Sequence, residues 1–88
     1  STAIDVTSAV TEVNATAGQA PCTLADGANG QIKIILNVST GGSNNVVITP
    51  SNLRGGTTIT LNAPGETVTC IFKNSNWNVI GGNGFTVA

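Results

Sequence analysis

The chain has 88 residues and a formal net charge of −1, and 41 of its residues are Thr, Asn, Gly or Ser while His, Tyr and Met are absent. At this size only about 60% of the unfolded surface can be buried, which leaves room for one small domain. Its seven charges (Lys33, Arg54 and Lys73 against Asp5, Glu12, Asp26 and Glu66) are scattered, and its apolar runs are far shorter than the about 20 residues of a membrane span, so neither nucleic acid nor membrane is an expected partner.

A 40% apolar, 8% charged composition is unlike that of a disordered chain. Val, Ile and Thr together supply 30 residues, and no window carries sustained apolar spacing of three and four. The expected fold is all-β: a small antiparallel sandwich or barrel of about seven short strands, with residues 1–19 as an extended N-terminal arm and residues 20–88 as a single β-domain.

In the first segment Ile4 and Val6 alternate with Asp5, but Val10 and Val13 break that period, so the arm is expected to take its structure from what it touches. Ser1 to Val13 lacks the basic start and apolar stretch of a signal peptide, and Ser1 fits a chain whose initiator Met was removed. Ala17 to Pro21 reads as a breaker, Cys22 to Leu24 as a short strand, and Asp26-Gly27-Ala28-Asn29-Gly30 as a turn. Gln31 to Val38 is the clearest strand. Ile32, Ile34, Leu36 and Val38 share the parity expected to face the core, with Gln31, Lys33 and Asn37 outward and Ile35 the exception on the polar side.

Gly41 to Asn45 reads as a loop, Val46 to Thr49 as a strand ended by Pro50, and Ser51 to Gly56 as a polar connection. Thr57 to Leu61 alternates. Pro64-Gly65 suits the centre of a type II turn, where glycine accepts the positive φ. Thr67 to Lys73 places Val68, Cys70 and Phe72 inward. A turn at Asn74-Ser75-Asn76 leads to Trp77 and Val79 in the core, Gly81 to Gly84 turns again, and Phe85 to Val87 closes the sheet.

Catalysis needs a proton-transfer group or an activated nucleophile. Without His or Tyr, the carboxylates at Asp26 and Glu66 read as turn residues, so no catalytic residue is assigned and the chain is not expected to be an enzyme. Two cysteines cannot make a structural zinc site, and the Asp26 turn lacks the repeated acids of a calcium loop, so no metal or cofactor is expected. Cys22 and Cys70 are open to two readings, buried free thiols or a disulfide. Trp77, alternating with Val79, reads as core.

So small a domain, with three aromatics and few charges, gains from burying surface against copies of itself. Ile35 and Ile71, which project from otherwise polar strand faces, and Ile80, opposite in parity to Trp77 and Val79, are the candidate subunit-interface residues. The alternative is that a loop or a second sheet covers each of them.

The string Asp26-Gly27, Gly30-Gln31-Ile32-Lys33, Val46-Val47-Ile48-Thr49-Pro50, Gly55-Gly56-Thr57-Thr58-Ile59, Pro64-Gly65-Glu66-Thr67-Val68 and Trp77-Asn78-Val79-Ile80-Gly81-Gly82-Asn83-Gly84 resembles a β-rich structural module of tailed bacteriophages, especially those of marine bacteria and cyanobacteria. Residues 1–25 lie largely outside the match. The resemblance implies a virion structural protein of the capsid decoration (cement) or head-fibre type, commonly a homotrimer, and carries over no catalytic residue. On that basis the expected role is decoration: a trimer on the outer capsid surface, bound to the major capsid protein, reinforcing the shell after assembly in the host cytoplasm. The alternatives are a fibre or receptor-binding module recognising a host glycan, and an unrelated adhesion or surface-layer module. Deleting residues 1 to 13 is expected to weaken shell binding and leave the β-domain folded.

Overall fold

The computed structural model describes residues 2–16, 18–40 and 44–88. They form nine strands: β1 (Thr2–Ile4), β2 (Val10–Val13), β3 (Gln19–Leu24), β4 (Ile32–Asn37), β5 (Asn45–Pro50), β6 (Ile59–Leu61), β7 (Thr67–Lys73), β8 (Asn76–Asn83) and β9 (Thr86–Val87). Two sheets pack face to face, one of five strands in the order β1-β3-β5-β6-β9 and one of four in the order β2-β4-β7-β8. The all-β sandwich expected from composition is present, but its sheets are mixed rather than antiparallel.

The mixture has a topological cause. The first five strands alternate between the sheets, so the chain winds as a coil and each strand returns beside its predecessor in the same direction. β1, β3 and β5 are therefore parallel, as are β2 and β4. From β5 onward the chain turns back on itself, and β5-β6-β9 and β4-β7-β8 are antiparallel.

This winding changes the reading of residues 1–19. They are not a projecting arm: β1 adds an edge strand to one sheet, β2 an edge strand to the other, and Ile4 is buried at 5% exposure. Deleting residues 1 to 13 would strip an edge strand from both sheets, so it is expected to destabilise the domain as well as alter any contact made by these residues. Pro21 does not break the chain but sits within β3, paired with Val47 of β5. The loop expected over Gly41 to Asn45 lies largely outside the described residues. Gly81 to Gly84 do not form a separate turn, because β8 runs on to Asn83.

Several local expectations hold as written. The Pro64-Gly65 turn has Gly65 at φ 92° and closes with Glu66 N–H donating to Ala63 O at 3.1 Å, the type II geometry. Gly30, at φ 87°, takes the corresponding place in a turn closed from Gln31 N–H to Ala28 O. Asn74 and Ser75 both have positive φ (55° and 66°), the type I′ geometry whose twist suits the β7-β8 hairpin.

The core between the sheets consists of Ile4, Ala15, Cys22, Leu24, Val46, Ile48, Ile59, Leu61, Ile35, Val68, Cys70, Phe72 and Trp77. Trp77 is fully buried, meets Phe72 edge to face at 5.2 Å between ring centroids, and satisfies its indole N–H on Ala25 O at 2.9 Å. Cys22 and Cys70 are free buried thiols.

β4 departs from the sequence reading most. Its core-facing residues are Lys33, Ile35 and Asn37, and Ile32, Ile34 and Leu36 face outward. The parity expected for this strand is inverted, with Ile35 in the core at 0% exposure and Ile32 47% exposed.

Candidate functional site

The inverted strand is held by hydrogen bonds that leave none of its inward polar groups stranded. Lys33 Nζ, fully buried, donates to Ser8 O (2.9 Å), Ser8 Oγ (2.9 Å) and Thr11 Oγ1 (2.5 Å), which pins the first winding of the chain onto β4. Burial lowers the lysine pKa below its ordinary value, opposed by the Asp5 carboxylate. Asn37 Nδ2 donates to Leu61 O (2.9 Å) and Asn44 O (3.0 Å), its Oδ1 accepts from Ser39 N–H, and Ser39 Oγ accepts from Ala15 N–H. Among the described residues every buried side-chain nitrogen and oxygen has a partner.

The consequence lies on the opposite side of the sheet. Outward positions line up by register as Ile32 beside Ile71, and Val10 beside Ile34 beside Thr69 beside Gly81. A third row sets Glu12 beside Leu36 beside Thr67. A bulge opposite Thr69 and Cys70 leaves Ile80 as the extra residue of β8, 56% exposed next to this face, while Val10 is 50% exposed. Six aliphatic side chains, Val10, Ile32 and Ile80 exposed and Ile34, Leu36 and Ile71 half-buried, thus lie on or beside the outer face of the four-stranded sheet.

The outer face of the five-stranded sheet is a control within the same molecule. It presents Thr23, Thr49, Thr60 and Thr86 with Gln19, Pro21, Asn45 and Val47, the polar-out pattern of a solvated sheet. Among the described residues the large aliphatics that are exposed, Val10, Ile32 and Ile80, lie on or beside the other sheet's outer face.

Of the three candidate interface residues, Ile71 and Ile80 fall on the apolar face. Ile35 does not: the second sheet covers it, and it cannot touch a partner while the domain is folded. Sequence reasoning missed Ile32, Ile34 and Leu36 because it turned β4 the other way, and Val10 because it read residues 1–19 as an arm rather than as edge strands. The signal that could have found the three on β4 is the near-continuous Ile32-Lys33-Ile34-Ile35-Leu36 run, since a strand with aliphatics on both faces loses strict alternation.

The remaining chemistry-bearing groups serve local structure. Both Asp26 carboxylate oxygens accept from Asn52 Nδ2 at 2.9 Å, and Glu66 Oε1 accepts from the Asn62 N–H at 2.7 Å. Asp5 accepts from the Thr7 N–H and hydroxyl, bonds that hold its carboxyl below the usual range. Burial raises both thiols, Cys70 to about 11, so neither is a ready nucleophile. No group of three His, Cys, Asp or Glu comes together among the described residues. A cleft of about 410 Å³ opens beside edge strands β1 and β2, lined by Ile4, Asp5, Thr11, Glu12, Val13 and Cys22 among others. No protein-family model and no curated protein matches the sequence.

Proposed function

We propose that this chain is a non-enzymatic structural module that works by surface contact, and that its role is capsid decoration: binding the outer surface of a phage head and reinforcing the shell. The observation that carries the reading is the apolar outer face of β2-β4-β7-β8, a surface suited to being covered and lacking any charge at its centre. The resemblance of residues 26–84 to phage structural modules supplies the virion context, the homotrimer and the major capsid protein as partner. The physical mechanism is mass action: contact area that exists only on the assembled shell stabilises that shell.

The test is the position and copy number of this chain on the particle that carries it, read from a cryo-EM map and quantitative mass spectrometry. Decoration predicts many copies spread over the head. Density confined to the tail, or only a few copies per particle, would replace decoration with the fibre or receptor-binding role.

A further inference from the structure

We infer that the outer face of β2-β4-β7-β8 pairs with the same face of a second copy about a two-fold axis. This rests on reading the face as a contact surface, and it holds whether or not the chain belongs to a virion. Three points argue for self-pairing. The face is a twisted sheet surface, and two such surfaces pack naturally face to face at about 10 Å, as the two sheets inside this molecule do. Its centre is aliphatic and uncharged, so a like surface does not repel it.

Its charges, moreover, sit at diagonal corners with opposite sign. Glu12 lies on β2 beside Leu36, whereas Lys73 lies on β7 two residues beyond Ile71, which is beside Ile32. The two are about 20 Å apart along the strands and about 10 Å apart across them. Arg54 joins the basic corner, its Nε donating to Asn78 Oδ1 of β8 at 2.7 Å. Midway between the acidic and basic corners, the sheet presents Ile32 and Ile34. A two-fold axis in the plane between two copies, passing over these isoleucines, sets Glu12 of each against Lys73 of the other and brings the aliphatic rows together. An isologous contact requires this self-complementarity.

Area sets the strength. Four strands and about seven residues give a face of roughly 19 by 23 Å, about 440 Å² in plan. A standard interface buries about 800 Å² per partner, so the pair belongs to the weak, concentration-dependent class. Such a contact suits copies already held close together on a surface, where effective concentration is high. If the chain also forms trimers, those contacts lie elsewhere, and this face joins one trimer to the next.

Light scattering and sedimentation of the whole chain from about 10 µM to about 1 mM test the inference. Wild type is expected to shift from monomer to dimer. Ile32→Asp, at an exposed position, is expected to remain monomeric with an unchanged circular dichroism spectrum. Glu12→Lys and Lys73→Glu should each weaken pairing about tenfold by opposing like charges, and the double swap should return it to within about threefold of wild type. That rescue occurs only if the partner is the same chain. A wild type that stays monomeric throughout, or a double swap no better than either single, overturns the inference. A three-chain mass untouched by Ile32→Asp overturns it too and leaves the trimer reading standing. Dimers that pass every arm uphold it even if the chain is found nowhere on a capsid.

Discussion

β4 and β7 are neighbours in one sheet, paired antiparallel over five residue pairs, and they obey opposite rules. β7 is nearly conventional, with Val68, Cys70 and Phe72 in the core and Thr67, Thr69, Lys73 and a single aliphatic, Ile71, outside. β4 buries a lysine and an asparagine and turns three aliphatics outward. Every inward polar atom of β4 reaches an acceptor or donor, so the inversion is stable, yet a strand that needed only to fill its own domain would gain more with Ile32, Ile34 and Leu36 inside. The pair teaches that β7 follows the domain's own core, whereas β4 meets that core with Ile35 and hydrogen-bonded polar groups and turns its other aliphatics outward.

The largest expected effect separates the two strands outright. Val68→Asp places an unpaired carboxylate in the core and should cost about 4 kcal/mol or more, enough to unfold so small a domain. Ile34→Asp, at the outward position that sequence parity assigns to the core, should cost about 1 kcal/mol or less and stay folded. Equilibrium urea unfolding compares them, and a reversed ranking would break the inverted assignment of β4.

Next in size is the buried lysine. Lys33→Ala removes the stem and strands the oxygens of Ser8 and Thr11, at a cost of about 2 to 4 kcal/mol. Lys33→Met keeps the volume of the stem but strands the same oxygens, so it should cost about 1 to 3 kcal/mol, less than Lys33→Ala because packing is kept and no ammonium has to be desolvated. A loss with Met as large as with Ala would show that the charge itself holds the first winding in place.

The same contrast has a pH signature. The folded Lys33 pKa is lowered, so the unfolded state holds the extra proton as pH approaches the ordinary lysine value of 10.5, and stability rises there through this group. The folded Cys70 pKa is raised from 9.0 to about 11, so the unfolded state loses its proton first and stability falls through that window. Thermal melts between pH 8 and about pH 11 should therefore diverge: Cys70→Val loses most of the downward slope relative to wild type, the remainder belonging to Cys22, and Lys33→Met loses the upward one. Parallel curves for all three proteins would contradict both assignments.

The smallest effect lies at the hairpin that joins β7 to β8. Ser75 sits at φ 66°, a conformation that costs an L-residue roughly 1 kcal/mol and glycine almost nothing. Ser75→Gly should stabilise by up to about 0.5 kcal/mol, read as a small rise in the urea midpoint, since greater chain entropy in the unfolded state takes back part of the gain.

The sequence by itself determined the features that depend on neighbours along the chain. β-branched content set the all-β class, Pro64-Gly65 set a type II turn, and the alternation from Thr67 to Lys73 set which side of β7 is buried, because turn chemistry and single-strand parity are local properties. It also marked Ile71 and Ile80 as unusual outward residues. Only the tertiary structure decided the rest. Whether strands run parallel depends on how the coil alternates between sheets, and whether residues 1–19 form an arm or two edge strands depends on partners 20 or more positions away. The facing of β4 was likewise beyond local pattern, since either parity carries aliphatic residues. The choice was made by acceptors from Ser8, Thr11, Asn44 and Leu61, which come within reach of Lys33 and Asn37 only after both sheets have formed.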